Sequence, residues 1–370
     1  AGERMDEKGW SMGDDYLGSV ERGQLDGPVD VPLYRGMDDQ AVYLAAKTSE
    51  DAEDREWFFN VSMRSHVISV TDEFVSENEL EPKTVNKRLI PLQDDYKTGG
   101  ELKYVKIPEL HIGRLVLVDV VAFVKSSEGS FDKHSGMQIG MGNITDLAYA
   151  VLPSEGVIRF SPASQGDELV DKLGGTKLPY EVVDWARVTF GKQKKIAPAR
   201  SLLVPATVGG QSVKAALDVG ERTSSLSWGT TASSDTVRMS GDLRKEWHTV
   251  SIDSLEAGEG WMDRKRFGTA GAHVHDSVIG ANHLYDLDIA VSPQSQTLSI
   301  RQASSFSYSV KDQVVLEHLQ KMVLPIDGEE AAASDWNALG DQQSKMHDAE
   351  GAVKSFQKAA SLESEKCGYW

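Results

Sequence analysis

The sequence is short of cysteine, of long apolar runs and of positive charge. Its 370 residues include one cysteine, Cys367, so neither a disulfide framework nor a cysteine-rich metal site can form within one chain. No apolar run approaches the roughly 20 residues that a membrane-spanning helix needs. Asp and Glu outnumber Lys and Arg by 57 to 39, a net charge of −18, which argues against binding to nucleic-acid phosphates.

The length and the first residues bear on organisation and compartment. A chain of 370 residues favours two or three domains rather than one core. It begins "AGERMDEKGW", without an initiator Met, which a cleaved signal peptide or a proteolysed precursor would explain. We therefore expect an exported protein, periplasmic, envelope-associated or secreted, with the cytoplasm as the alternative. Residues 1–30 lack periodicity and are expected to form an extended lead-in.

Short apolar runs separated by turn residues begin at about Val31 and predict a mainly β protein. "VPATVGGQSVKAALD" predicts a hairpin that turns at Gly209 and Gly210. Residues 163–198 have a partly helical pattern and end in a basic segment, so we interpret them as a linker. The pattern becomes helical after Val310.

Two internal repeats are the most informative feature. "IGMGNITDLAYAVLP" (139–153) and "IGANHLYDLDIAVSP" (279–293) agree at seven of fifteen positions without gaps. A weaker match aligns "NVSMRSHVIS" (60–69) with "DVGERTSSLS" (218–227) and sets Asp218 opposite Asn60. The order of the matches predicts two homologous β lobes, residues 31–162 and 199–303.

Two lobes in which an apolar strand leads into an Asp-containing turn, followed by an apolar-apolar-Gly motif, resemble the pepsin-like and retropepsin-like aspartic proteases. The resemblance covers about 270 residues, and "VIGANHLYDLDIAVSPQSQTLSI" is similar to a bacterial retropepsin-like pattern. It implies that one aspartate from each lobe meets the other at the lobe interface, where the two carboxyls share one proton. One carboxyl activates a water and the other hydrogen-bonds the substrate carbonyl. No cofactor or metal is implied.

The sequence departs from that family's motif at several positions. Asn60 stands where the first Asp is expected, and an amide cannot exchange a proton near neutral pH. Ser62 replaces the first Gly, and Val61 and Val219 replace the hydroxyl residues that tie the two loops together. Asp218 and the glycine that follows it, Gly220, match the motif. These departures favour an inactive protease-like protein, with a binding cleft near Asn60 and Asp218.

The C-terminal segment, residues 333–370, resembles a tetratricopeptide repeat. The resemblance rests on large and small residues at characteristic spacings: Trp336, Leu339, Gly340, Ala352, Phe356 and Ala359. Trp370 follows Trp336 by one repeat length, so we expect this segment to begin a longer array or to be capped by a neighbour. Residues 304–332 are expected to form a helix and an acidic connector to it.

The sequence thus predicts two aspartic-protease-like β lobes followed by an α-helical tetratricopeptide-type hairpin. We expect a non-catalytic scaffold or assembly component that binds proteins or extended peptide segments and possesses no nucleic-acid site. One alternative is an active endopeptidase that uses Asp218 in an unusual or homodimeric pair. A second alternative is a structural subunit of a large envelope assembly. The sequence does not identify the partner or the oligomeric state.

Overall fold

A computed structural model of the chain describes most of both predicted lobes and the C-terminal helices. The described residues are 21–22, 25, 27–37, 40–49, 56–64, 68–85, 102–125, 137–141, 147–190, 193–227, 237–240, 243–265, 277–324 and 331–366. The chain forms two compact units, one of residues 1–34 and 38–308 and one of residues 35–37 and 309–370. Most of the predicted lead-in, Cys367 and Trp370 lie outside the described residues.

The first unit is mainly β. Its strands up to residue 162 are β1 (Glu21–Arg22), β2 (Val29–Pro32), β3 (Tyr34–Arg35), β4 (Val42–Ala46), β5 (Trp57–Ser62), β6 (Ile68–Thr71), β7 (Lys83–Val85), β8 (Leu102–Ile112), β9 (Leu115–Lys125), β10 (Gln138–Gly140), β11 (Leu147–Leu152) and β12 (Val157–Pro162). The later strands are β13 (Thr176–Pro179), β14 (Glu181–Phe190), β15 (Gln193–Val208), β16 (Gln211–Asp218), β17 (Ser225–Ser227), β18 (Val237–Ser240), β19 (Leu243–Ile252), β20 (Leu255–Lys265), β21 (Ser277–Gly280), β22 (Leu287–Ser292), β23 (Thr297–Gln302) and, in the second unit, β24 (Ser309–Val310).

The helices divide between the two units. In the first unit they are α1 (Asp72–Glu77), α2 (Gly166–Leu173), which follows a 3-10 turn (Ala163–Gln165), and α3 (Ala281–Leu284). In the second unit they are α4 (Lys311–Met322), α5 (Ala333–Lys345) and α6 (Ala349–Lys366). Within the described residues, none of these helices combines the length and apolar character that crossing a membrane requires.

The two predicted lobes contain sheets with the same local arrangement. In the first, β10 lies between β5, to which it is parallel, and β6, to which it is antiparallel, and the order continues through β9, β8 and β7. In the other, β21 lies between β16, again parallel, and β17, again antiparallel, and the order continues through β20, β19 and β18. The inserted strands β10 and β21 carry the "IG" residues of the first internal repeat.

A six-stranded sheet, β13-β23-β22-β11-β12-β2, joins the two lobes. At its centre Ala150 pairs with Ala290, Tyr149 with Val291 and Val151 with Ile289. The repeat aligns residues 149, 150 and 151 with 289, 290 and 291, and the strands pair so that 150 meets its own equivalent and 149 and 151 meet each other's. The strand register therefore agrees with the repeat of 139–153 and 279–293. Small residues of these central strands leave room for the apolar face of α2, whose Leu169, Val170 and Leu173 pack on them.

The predicted hairpin is confirmed. In β15 and β16, Val208 pairs with Gln211, and the two residues between them, Gly209 and Gly210, have φ angles of 54° and 80°. Both values fit a two-residue turn whose twist matches the flanking strands, and glycine adopts them without steric cost. The segment 163–198, interpreted as a partly helical linker, contains the helix α2 and also β13, β14 and the first residues of β15. A helical pattern alone could not reveal that β13 pairs with β23 from the far end of the second lobe.

The second unit is helical. Helices α5 and α6 form a hairpin in which Leu339, Ala352 and Ala359 are buried. A Cβ on Gly340 would lie 2.7 Å from a ring carbon of Phe356, so only glycine allows this ring to approach so closely.

Hydrogen bonds fix the hairpin and the start of α4. Ser355 Oγ donates to Gln343 Oε1 over 2.7 Å within the hairpin. The buried carboxylate of Asp312 accepts a hydrogen bond from Met37 N at 2.8 Å and pairs with Lys345 Nζ at 2.6 Å. Burial by itself would raise the pKa of Asp312, but these partners outweigh burial and lower it.

Candidate functional site

Ser62 and Asp218 occupy equivalent ends of their strands. Each is the last residue of a strand, β5 or β16, that lies beside the inserted strand of its lobe. In the parallel pairs, Gly140 stands opposite Ser62 and Gly280 opposite Asp218. Because the repeat aligns these two glycines, strand register relates Ser62 to Asp218.

This register differs by two residues from the sequence alignment that set Asn60 opposite Asp218. The antiparallel neighbours agree with it, since Ser69 stands opposite Gln138 and Ser225 opposite Val278. Asn60 belongs one full pleat earlier, opposite Gln138 in β10. The residue that faces Asp218 across the lobe interface is therefore a serine rather than an asparagine.

The carboxyl group of Asp218 accepts hydrogen bonds from both lobes. Ser62 Oγ lies 3.0 Å from Asp218 Oδ2, and Met63 N donates to Oδ1 at 3.0 Å. Gly220 N, two residues after Asp218, donates to the same Oδ1 at 3.1 Å. Ser62 and Asp218 are each only 3% exposed. The site is a buried carboxyl–hydroxyl pair between the lobes.

The loop after Asp218 is held to the first lobe by its backbone. Asn60 Nδ2 donates to the carbonyl of Gly220 at 3.0 Å, and Val42 N donates to the carbonyl of Val219 at 3.0 Å. A Cβ on Gly220 would lie 2.2 Å from the carbonyl oxygen of Val61. The loops therefore stay tied together although no Thr or Ser follows Asp218, because an amide side chain and a backbone N–H bind the carbonyls.

Burial dominates the electrostatics of the pair. Burial is the largest influence and, together with the charge of Glu221, raises the pKa of Asp218 from 3.8 to about 6. The positive charge of Arg64 and the N–H groups of Met63 and Gly220 act in the opposite direction. Near neutral pH the carboxylate is thus ionised at an energetic cost.

Chemically, the pair offers one carboxyl group that titrates near pH 6 and one hydroxyl group that does not titrate near neutral pH. Ser62 Oγ also accepts from Arg64 N at 3.3 Å. Across the described ranges, no group of three or more His, Cys, Asp or Glu side chains is arranged to hold a metal ion.

A second buried polar cluster in the later lobe was not foreseen from the sequence. Ser224 Oγ accepts from Gly280 N at 2.8 Å and lies 2.7 Å from Nδ1 of His283. Asn282 Oδ1 accepts from Ser224 N at 2.8 Å. Burial lowers the pKa of His283 to about 4, so its ring is neutral at physiological pH. The cluster fixes the far end of the Asp218 loop against β21 and α3.

No protein-family model and no curated protein matches the chain. Similar solved structures include an aspartic proteinase from Irpex lacteus, at 8% identity over 75% of this chain and 98% of that one, with a TM-score of 0.42. Others are edgp (8% identity, 76% and 98% covered, TM-score 0.44) and conglutin gamma, a basic 7S globulin from lupine seeds (9%, 75% and 95%, TM-score 0.40). All three TM-scores lie below 0.5.

Proposed function

We propose that this chain is a catalytically inactive, aspartic-protease-like protein that binds proteins or extended peptide segments. The observation that carries the proposal is the pairing of Asp218 with the hydroxyl of Ser62, where the protease mechanism requires a second carboxyl. Asp218 alone supplies one titrating group to a reaction that needs both a base and an acid.

The chemistry of serine supports inactivity. In a carboxyl pair, repulsion between like charges about 3 Å apart keeps one proton on the pair, so one group is a base while the other is an acid. A serine hydroxyl accepts and donates hydrogen bonds but does not lose its proton near neutral pH. Ser62 therefore cannot exchange roles with Asp218. When Asp218 acts as the base that activates water, no second carboxyl is present to act as the acid.

The helical hairpin supports a role in partner contacts. Its buried positions carry small residues where the helices cross, Gly340, Ala352 and Ala359, in the order expected for a tetratricopeptide-type repeat. Val353 and Phe356 on α6 remain 54% and 37% exposed. An apolar strip of this kind is what a following repeat or a bound segment would cover.

Cleavage assays test the inactive state. Purified protein is incubated with a peptide library from pH 3 to 8, alongside the variants Asp218→Asn and Ser62→Asp. We expect no cleavage by the parent or by Asp218→Asn. Ser62→Asp introduces a second carboxyl beside Asp218 and serves as the positive control, for which we expect a gain of cleavage in acid.

Cleavage by the parent that Asp218→Asn abolishes would overturn the proposal. A specific rate that rises with protein concentration would then indicate the homodimeric pair.

Binding is tested with a displayed peptide library. Capture should survive Asp218→Asn and weaken in Val353→Glu, with Lys354→Glu as the control at the neighbouring position. Export stays a prediction, which fractionation of the source cells tests.

A further inference from the structure

The carboxyl group of Asp218 is bonded mainly across the lobe interface. Ser62 Oγ and Met63 N, both from the first lobe, reach its two oxygens, and only Gly220 N comes from its own loop. We infer that Asp218 is an acid-closed latch between the two lobes: its protonated carboxyl holds the interface together, and ionisation weakens that hold. This inference does not depend on partner binding.

The latch is the centre of a larger set of interlobe hydrogen bonds. The carbonyls of Val219 and Gly220 accept from Val42 N and Asn60 Nδ2 of the first lobe. The carboxyl of Asp218 accepts two further bonds from the first lobe, so the consecutive residues 218–220 all bind the opposite lobe. A change at the carboxyl therefore acts within a continuous run of interlobe hydrogen bonds.

Ser62 can serve both protonation states of its partner. When Asp218 is protonated on Oδ2, that hydroxyl donates to Ser62 Oγ, while Oδ1 still accepts from Met63 N and Gly220 N. When the carboxyl is ionised, Ser62 turns its own hydroxyl hydrogen towards Oδ2. A second carboxyl could not do this without sharing the proton. The hydroxyl therefore leaves the charge state of the site to Asp218 alone.

The surrounding charges determine the direction of the pH effect. Burial is the largest influence and disfavours the ionised form, as does the negative charge of Glu221. Arg64 favours ionisation, and Tyr149, fully buried nearby, is neutral because burial raises its pKa.

The direction in which stability changes with pH follows from the difference between the pKa of Asp218 in the closed site and its ordinary pKa. The pKa of Asp218 in the closed site, about 6, lies above its ordinary 3.8, so the closed site holds a proton that an opened, hydrated site releases. The stabilisation is fully present below about pH 3.8, is lost progressively as the pH rises, and is gone above about 6.

Unfolding equilibria from pH 4 to 7.5 test the latch in the parent and in Asp218→Asn. Asparagine keeps the shape of the protonated acid: Oδ1 accepts the two N–H bonds and Nδ2 donates to Ser62. Dividing the unfolding constant of the parent by that of the variant cancels every other titrating group. We expect this ratio to rise roughly tenfold per pH unit from 4 to 6 and to level above 6.

Asp253→Asn is the matched control, because Asp253 is exposed in the later lobe and has a φ of 53° that asparagine tolerates. The ratio of the unfolding constant of the parent to that of Asp253→Asn should not change between pH 4 and 6. Amide hydrogen exchange at Met63 and Gly220, corrected for intrinsic rates, reports the local opening. Protection should fall from pH 4 to 6 in the parent and stay constant in Asp218→Asn.

A parent-to-variant ratio that does not change from pH 4 to 6 would overturn the latch. So would a changing ratio without loss of protection at Met63, because Asp218 would then titrate only on global unfolding. Neither result bears on cleavage or peptide capture, so the latch and the proposed function fail separately.

Discussion

The α-carbon of Gly220 lies so close to the carbonyl oxygen of Val61 that a Cβ there would be 2.2 Å from it, and 2.4 Å from Oδ1 of Asn60. The oxygen belongs to the backbone and cannot rotate away. We expect Gly220→Ala to lower the free energy of unfolding by about 3 kcal/mol, because the lobes must separate to admit the methyl group.

Gly27→Ala is the control for that substitution, since within the described residues, its chain neighbours aside, no atom lies within 4 Å of the position of its Cβ. It should change the free energy of unfolding by less than about 0.5 kcal/mol. Denaturant titration compares the two. Equal stability of both variants would contradict the close approach at Gly220.

Two opposing effects meet at Gly340 in the helical hairpin. Alanine is favoured over glycine in a helix by about 1 kcal/mol, but its methyl group would lie 2.7 Å from the ring of Phe356. We expect Gly340→Ala to destabilise the hairpin in the parent, because overpacking costs about 1–3 kcal/mol. In a Phe356→Ala background the same change should stabilise it. Thermal melting followed at 222 nm completes the cycle; additive effects would show that the two positions do not touch.

Asp288 is a buried carboxylate with three donors. Its oxygens accept from Ser154 N at 3.0 Å, from Ser154 Oγ at 2.6 Å and from Arg301 Nε at 3.0 Å. We expect Asp288→Ala to cost about 3 kcal/mol, because these donors lose their partner in a buried site.

The exposed pair of Asp30 and Arg159 provides the comparison for Asp288. Arg159 Nε lies 2.7 Å from Asp30 Oδ1, but the Asp30 side chain is 45% exposed. Asp30→Ala should therefore cost less than about 1 kcal/mol. Urea unfolding of both variants measures the difference, and a larger loss for Asp30→Ala would contradict the assigned burial.

His283 makes stability depend on pH in the direction opposite to Asp218. Its pKa in the folded protein, about 4, lies below the ordinary 6.5, so the unfolded chain binds a proton that the folded chain does not. Stability is complete above pH 6.5 and is lost as the pH falls towards 4, by about 1.4 kcal/mol per pH unit.

This effect is clearest in the Asp218→Asn background, where the opposite contribution is absent. Unfolding measured from pH 4.5 to 7 should show the slope, and adding His283→Asn should remove it. A slope that persists in the double variant would assign it to another group.

The sequence pattern could reveal the internal repeat of 139–153 and 279–293 but not the residue that is paired with Asp218. The 139–153 and 279–293 match carries seven identities, and its register reappears in the pairing of Ala150 with Ala290. The alignment around Asp218 had few identities to rely on. Residues alternate between the faces of a strand, so shifting an alignment by two keeps every residue on its own face. Periodicity therefore could not distinguish Asn60 from Ser62.

Local sequence patterns are sufficient to predict features that depend on neighbouring residues. The Gly209–Gly210 turn follows from the freedom of glycine at positive φ, and the helical hairpin follows from its spacing of large and small residues. Long-range packing selects the residue that faces Asp218, the entry of β13 into the central sheet and the partners of Ser224 and His283. These contacts join residues that are more than 50 positions apart in the chain. A local sequence pattern cannot predict the register between such distant strands.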